Sequence, residues 1–267
     1  MSRPALRIIE PGRATTLQDH GRIGRADLGV PSAGAVDRST HDLANRLVGN
    51  DPRAASIETN GGLVIEAIRP LIVAVDGHRN TLAAGERLRV DGEGDRMWTY
   101  LAVRGGIEVE PVLGSRSHDT LAGIGPAPIE VGVELPVGPD PGTELPTDHA
   151  PVRRRSPVVR LWPGPRADRF VDAMSTLVGQ RWTVSGSVSR VGVRLEPGEF
   201  IAAPDRRLAS EGLVDGAIQI TPAGEPIIML ANHPTTGGYP VVAVVEPDDL
   251  TIVAQSPPGT ILRFVRA

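Results

Sequence analysis

Short apolar runs broken by glycine and proline recur along the whole chain, and this spacing constrains the fold more than any other feature. The runs are Leu6–Glu10, Leu63–Ile68, Leu71–Asp76, Arg87–Val90, Trp98–Arg104, Ile129–Leu135 and Val158–Trp162. They continue with Arg181–Ser185, Val191–Leu195, Ala217–Ile220, Ile227–Ala231, Val241–Glu246, Thr251–Ala254 and Ile261–Val265. Most hold about four to seven residues rich in Val and Ile, which is strand chemistry. With 31 glycines and 25 prolines among 267 residues, about a fifth of the chain is punctuation, against a usual share of about 12%. Many short strands joined by turns predict a mainly β protein of sandwich or barrel type.

Only two stretches carry helical spacing. In Val36–Val48, Val36, Leu43, Ala44, Leu47 and Val48 share a face, Asp37 sits in the first turn, and Gly49 stops the run. In Ala167–Val178, Phe170, Met174, Leu177 and Val178 do the same, and Gly179 ends it. Both helices follow similar text: Leu6-Arg7-Ile8-Ile9-Glu10-Pro11-Gly12-Arg13-Ala14 resembles Val159-Arg160-Leu161-Trp162-Pro163-Gly164-Pro165-Arg166-Ala167. Both end in Leu-Val-Gly and an amide, at Leu47–Asn50 and Leu177–Gln180. A duplicated β-rich unit with one main helix accounts for this, as does chance in a Pro/Gly/Val-rich chain. A proline-dense stretch at about 136–156, which includes Arg153-Arg154-Arg155, reads as a linker or long loop. It divides residues 1–150 from 151–267, and the arginine triplet reads as a solvated charge run or a docking patch.

Composition then removes whole classes of function. Forty per cent of residues are apolar, enough for a buried core. Aromatic residues make up 3% and the net charge is −4, so neither stacking platforms nor a basic footprint for nucleic acid is present. There is no cysteine, and every basic residue is arginine. Thiol catalysis, a Schiff-base lysine, a Walker lysine and a biotin-accepting lysine are therefore excluded on this chain. The six histidines, at 20, 41, 78, 118, 149 and 233, show no ligand spacing, and no metal site is expected. Residues 1–11 lack an apolar signal core, and no run approaches the roughly 18 residues that span a bilayer. A soluble cytoplasmic protein without a membrane partner is the expectation.

Four stretches are dense enough to carry chemistry. Thr15–Arg25, continuing to Gly29–Asp37, combines glycines with the donors Gln18, Arg22 and Arg25 and the acceptors Asp19 and Asp37. It runs into the amino end of the first helix, and it reads as a ligand loop or an ordinary surface loop. Ala231–Pro240 joins two apolar strands by a connection longer than a plain hairpin needs. Its His233 could titrate near neutral pH, Thr235 and Thr236 offer hydroxyls, and Gly237-Gly238, before Tyr239, could form an anion-binding nest. His233 could equally cap a turn. Glu211 and Asp215 flank a turn, as a general base or as solvated acids, while Gln219 sits in an apolar strand where its amide needs partners. Arg190, at a strand entrance, suits a carboxylate clamp or an exposed edge.

Taken in order, Thr15-Thr16-Leu17-Gln18-Asp19-His20-Gly21-Arg22, Gly29–Asp37, Ala44–Asn50, Glu58-Thr59, Ser210-Glu211-Gly212, Gly216–Gln219 and Thr236–Pro240 resemble one family almost end to end. It is variously called the 5-oxoprolinase C-subunit family, KipA-like protein, allophanate hydrolase subunit 2 or biotin-dependent carboxyltransferase. The chain departs from it at Ser189, where Asn is usual, and at Val241, where a Lys that weighs for carboxyl transfer is common.

The resemblance implies two cyclophilin-like β-barrel units with one main helix each. It implies a subunit-B-like partner (KipI, or allophanate hydrolase subunit 1) and a third subunit, together hydrolysing 5-oxoproline to glutamate with ATP. ATP would be bound by this chain or by a partner. In that scheme His233 and Glu211 are the acid/base candidates, and Gln18, Asp37, Arg190, Gln219, Thr235, Thr236, Gly237, Gly238 and Tyr239 orient a small amide substrate. The site is expected at a subunit junction. The alternatives are carboxyl transfer from carboxybiotin on a separate carrier to a urea-like amide, and a non-enzymatic module that antagonises a kinase-inhibitor partner.

Overall fold

The structure is a computed structural model and describes residues 3–92, 96–152, 156–196 and 208–267; the arginine triplet expected as a charge run lies outside the described residues. The chain is mainly β and divides into two compact units, Met1–Arg22 with Ala33–Arg153, and Ile23–Ser32 with Arg154–Ala267. Among the described residues no helix is long and apolar enough to cross a membrane.

The first unit contains β1 (Pro4–Pro11), β2 (Thr16–Gln18), α1 (Arg38–Leu47), β3 (Ser56–Thr59) and β4 (Leu63–Ala67). It continues with β5 (Leu71–Val75), β6 (His78–Leu82), β7 (Arg87–Val90), β8 (Thr99–Val103) and β9 (Glu134–Pro136). Its strands form two sheets, ordered β7-β4-β1-β9 and β2-β3-β8-β5-β6. The two share one core: Leu6, Ile8, Leu63 and Ile65 of the first meet Leu17, Ile57, Leu71, Val73, Leu101 and Val103 of the second. Strand alternation explains the division. Arg7, between Leu6 and Ile8, turns outward and pairs with Glu66 and Glu134. Strand β8 is buried on both faces because α1 covers the side opposite the core. Asp37, expected in the first turn, is the N-cap of α1.

The stretch 136–150 is tied along the first unit. Arg104 pairs with Asp140, Arg79 Nη1 donates to the Pro146 carbonyl at 2.7 Å, and the Arg79 amide donates to the Asp148 carbonyl. Of the expected strand Ile129–Leu135 only the end survives, in β9. Gly132, at φ +81°, turns the backbone there so that its N–H reaches the Ile8 carbonyl.

The second unit contains β10 (Val158–Pro163), α2 (Ala173–Val178), β11 (Arg181–Val188), β12 (Gly192–Glu196) and β13 (Glu211–Gly212). It continues with β14 (Ala217–Ile220), β15 (Pro226–Met229), β16 (Thr236–Gly237), β17 (Val241–Val245), α3 (Leu250–Ala254) and β18 (Ile261–Arg266). Seven of these strands close a barrel in the order β10-β17-β14-β15-β12-β11-β18, sealed by the parallel pair β10/β18. Closure leaves no unpaired edge. Val159, Leu161, Trp182, Leu195, Ile218, Ile228, Val242 and Phe264 are fully buried. The Trp182 indole N–H donates to the Leu177 carbonyl at 2.8 Å and so pins α2 to β11.

Two expected elements are corrected here. The helix expected over Ala167–Val178 is a short 3-10 turn (Ala167–Arg169) and the six-residue α2, separated by extended Phe170 and by Asp172 at φ +53°. Aspartate tolerates that left-handed conformation, and it interrupts the helical hydrogen bonds. The strand expected at Thr251–Ala254 belongs to α3. Pro247 opens a 3-10 turn ahead of it, and the Asp249 carboxylate is held by Arg160 at 2.8 Å. The start signal thus overrides the β preference of Thr, Ile and Val.

Candidate functional site

In the second unit, the connection from β15 to β17 and the stretch before β14 are drawn together by the short pair β13/β16, in which Glu211 faces Gly237 and Gly212 faces Thr236. The Leu213 amide donates to the Thr235 carbonyl at 3.0 Å and extends that pairing. Gln219, buried in β14, donates through Nε2 to the Tyr239 carbonyl at 2.9 Å. A Cβ at Gly237 would lie 2.7 Å from that Nε2 and 2.9 Å from Leu213 Cδ1. Glycine at 237 therefore answers the close approach of Gln219. Gly237 and Gly238 are absent from the positive-φ glycines, so the nest expected there does not form. Around this platform Thr236, Gly238 and Tyr239 are exposed, with Thr235 half-buried.

We expect Gly237→Ala to lower the activity of the assembled protein by about tenfold while leaving barrel stability within about 1 kcal/mol, because only the platform must move. Steady-state kinetics alongside thermal unfolding measures both. Equal loss of both would make Gly237 a matter of global packing.

His233 lies in the same connection, two residues before Thr235. Its backbone N–H donates to the Leu230 carbonyl, its Nδ1 lies 2.7 Å from the Pro234 carbonyl, and its Nε2 lies 3.3 Å from Asp215 Oδ1. A carbonyl can only accept, so Nδ1 carries a hydrogen and Nε2 faces the carboxylate. Burial works against the imidazolium, but Asp215 and the Pro234 carbonyl outweigh it and raise the His233 pKa above its ordinary value. Both neighbours favour the protonated ring.

Glu211 is differently placed. Arg166 Nε meets both its oxygens, at 2.9 and 3.1 Å, and Arg166 Nη2 closes the fork. The guanidinium holds the Glu211 carboxyl below the usual range, the wrong direction for a proton acceptor near neutral pH. Arg190 is buried, neither an exposed edge residue nor a free clamp, and its Nε donates to Asn232 Oδ1 at 2.8 Å. The Asn232 amide donates back to the Arg190 carbonyl at 3.0 Å, which fixes the root of the His233 loop.

Gln18 and Asp37 belong to the first unit. Asp37 caps α1, accepting from the Thr40 amide and the Ser39 and Thr40 hydroxyls, and its own amide meets Tyr100 Oη at 2.8 Å. Tyr100 in turn donates to Glu58 at 2.7 Å, and burial together with the Glu58 carboxylate pushes its phenol well above the ordinary value. Gln18 is fully buried, donating through Nε2 to Thr16 Oγ1 and the His118 carbonyl, with no partner for Oε1. Of the nine residues expected to orient substrate, Gln219 and Thr235–Tyr239 thus gather beside His233. The partners Arg166 and Asn232 were not anticipated, and only the fold reveals which acid each basic group meets.

Against known proteins, the model of the family "Carboxyltransferase domain, subdomain A and B" matches residues 28–266. The chain is 34% identical to the 5-oxoprolinase C subunit of Escherichia coli over 98% of its own length and 91% of that protein. It is 29% identical to the urea amidolyase of Lachancea kluyveri over 98% of its length, but spans only 17% of that protein. The solved urea carboxylase of Kluyveromyces lactis superposes with a TM-score of 0.88 at 26% identity, covering 100% of this chain and 28% of that one.

Proposed function

The chain belongs to the carboxyltransferase-domain family, and from that premise we propose that it is a subunit of an ATP-dependent 5-oxoprolinase that opens a small cyclic amide within a cytoplasmic complex. The observation that carries this reading is the His233–Asp215 pair beside the Gln219–Gly237 platform. A lactam is stable, so its carbonyl must be activated before water adds. Collapse of the adduct then expels the ring nitrogen, which needs a proton as the C–N bond breaks. We assign that proton to the His233 imidazolium: its Nε2–H lies 3.3 Å from Asp215 Oδ1 without closing a hydrogen bond, and turns from it to the leaving nitrogen. Exposed Thr236 and Tyr239 offer hydroxyls to the substrate, and Glu211, neutralised by Arg166, holds β13 against β16 as a positioning residue.

Among the described residues, ATP phosphates do not fit what lies beside the platform. The chain has no lysine, and Arg166 and Arg190 already serve Glu211 and Asn232. We therefore assign ATP to a partner subunit and derive no step through it.

The test is reconstitution with a subunit-B-like protein and a third subunit. Glutamate should appear from 5-oxoproline only when all three proteins and ATP are present. A well-folded, complete mixture that releases none would end this reading. A second reading is favoured by the family's own name and by the urea carboxylase likeness: carboxyl transfer to a urea-like amide. It requires a separate biotin carrier, because this chain has no lysine to biotinylate. Carboxylation of urea by the chain with carboxybiotin would support it.

A further inference from the structure

His20, in the loop after β2, and His41 and Asp42, in the second turn of α1, are separated by 21 positions or more from loop to helix, and no linear spacing announces them. The first unit brings them together. His20 Nε2 lies 2.7 Å and His41 Nδ1 lies 3.0 Å from the same oxygen, Asp42 Oδ1. One ligand atom from each residue falls within 4.8 Å of the other two. We propose that these three side chains form a binding site for a divalent transition-metal ion.

The convergence of the three ligand atoms carries the proposal, and the hydrogen bonds around His41 admit it. Its Nε2 lies 3.3 Å from the Gln18 backbone carbonyl, which can only accept, and 3.4 Å from Asn45 Nδ2, which can only donate. The neighbouring Asn45 amide keeps a second Nδ2 hydrogen for that contact. Its Nδ2 donates to the Ala54 carbonyl at 2.9 Å and its Oδ1 accepts from Asn50 at 3.0 Å. In the tautomer that places the hydrogen on Nε2, toward Gln18, the Nδ1 lone pair faces Asp42 Oδ1 and serves as a ligand atom for a cation between them. An imidazole whose far N–H is anchored on a backbone carbonyl is also the usual arrangement of a metal-bound histidine.

The surroundings hold the ligands in place and leave one side open. His41 is fully buried and its ring meets Tyr100 edge-on at 5.7 Å. His20 and Asp42 side chains retain 23% and 20% exposure. The backbone on either side of His20 is anchored: the Ala35 amide donates to the Asp19 carbonyl, and the Gly21 amide donates to Asp19 Oδ1 at 2.7 Å. Two imidazoles and one carboxylate make a nitrogen-rich set suited to zinc, cobalt, nickel or iron and poorly suited to calcium or magnesium. Three protein ligands leave a coordination position toward solvent for water or for a carboxylate or carbonyl oxygen.

The experiment uses the full chain stripped with a chelator and titrated with Co2+. We expect the visible ligand-field bands of a low-symmetry site with nitrogen ligands, saturating at one ion per chain and displaced by Zn2+. His20→Ala and Asp42→Asn, both at partly exposed positions, should each weaken Zn2+ binding at least tenfold with circular dichroism unchanged. The exposed pair His78 and His149, whose Nδ1 atoms lie 3.2 Å apart, is the competing imidazole cluster. The double variant His78→Ala/His149→Ala should bind as the wild type does. Absence of the bands, binding unaltered by His20→Ala and Asp42→Asn, or binding lost with His78 and His149 instead would each overturn the proposal. These readouts do not depend on 5-oxoproline turnover.

Discussion

His233→Gln is expected to lower kcat for glutamate release in the reconstituted complex by about 10²- to 10⁴-fold, the usual worth of a placed acid/base group. Glutamine keeps an N–H for the Pro234 carbonyl that now holds Nδ1 at 2.7 Å, so the loop retains its shape while the proton donor is lost. Size-exclusion chromatography of the complex separates this from failed assembly. The pH profile provides a second arm. Asp215 and the Pro234 carbonyl raise the His233 pKa against the opposing effect of burial. The imidazolium is therefore fully present below the ordinary value of about 6.5 and is lost as pH rises through the higher folded value. Activity that needs this acid should decline on the alkaline side of that value. Asp215→Asn removes the partner, so the decline should move to lower pH. An unchanged kcat in His233→Gln, or an unmoved alkaline limb in Asp215→Asn, would take the proton-donor role away from His233.

What could be read in advance was the apolar half of the molecule. Leu71–Val75, Ala217–Ile220 and Val241–Val245 emerge as strands because burial on the barrel or sheet selects the Val/Ile runs that mark them. The strands that escaped notice are polar. Ser56–Thr59 is wholly buried, yet three of its side chains, Ser56, Glu58 and Thr59, are polar, and the segment reads as loop chemistry. His78–Leu82 lies at a sheet edge, where little apolar surface is required. The candidate site shows the same divide. Residue types in the Ala231–Pro240 connection flagged a platform, and Gln219 was marked by its position in an apolar strand. Their partners were not legible, because an ion pair such as Arg166–Glu211 spans 45 positions and depends on which strands pair. The early glycine-rich stretch did not announce its own division either. Ile23–Ser32 groups with the second unit, while the residues on both sides group with the first.

Asp19→Ala should be among the most destabilising single substitutions in the first unit. The buried carboxylate gathers the Ser115 and Ser117 hydroxyls and the Gly21 amide on Oδ1, at 2.6, 2.6 and 2.7 Å. The Arg116 amide reaches Oδ2 at 2.6 Å. Alanine would strand these donors and remove one of the two carboxylates, Asp19 and Asp119, whose charge favours the buried Arg22 guanidinium. Removing one partner of such a buried ionic network costs roughly 3–5 kcal/mol. For a unit of this size that corresponds to a fall in Tm on the order of 10 °C, read by circular dichroism. The pH dependence has a definite sign. Burial opposes ionisation of Asp19, but the Ser115, Ser117, Arg116 and Gly21 hydrogen bonds outweigh it and hold the pKa below the ordinary carboxyl value. Its stabilising contribution is therefore complete above about pH 4 and disappears as pH falls through the lower folded value. The gap in Tm between wild type and Asp19→Ala should be widest near neutrality and should close on acidification. Equal melting of the two proteins at neutral pH would show that Ser115, Ser117 and Arg116 find other partners, and that the loop carrying Gln18 and His20 does not depend on this carboxylate.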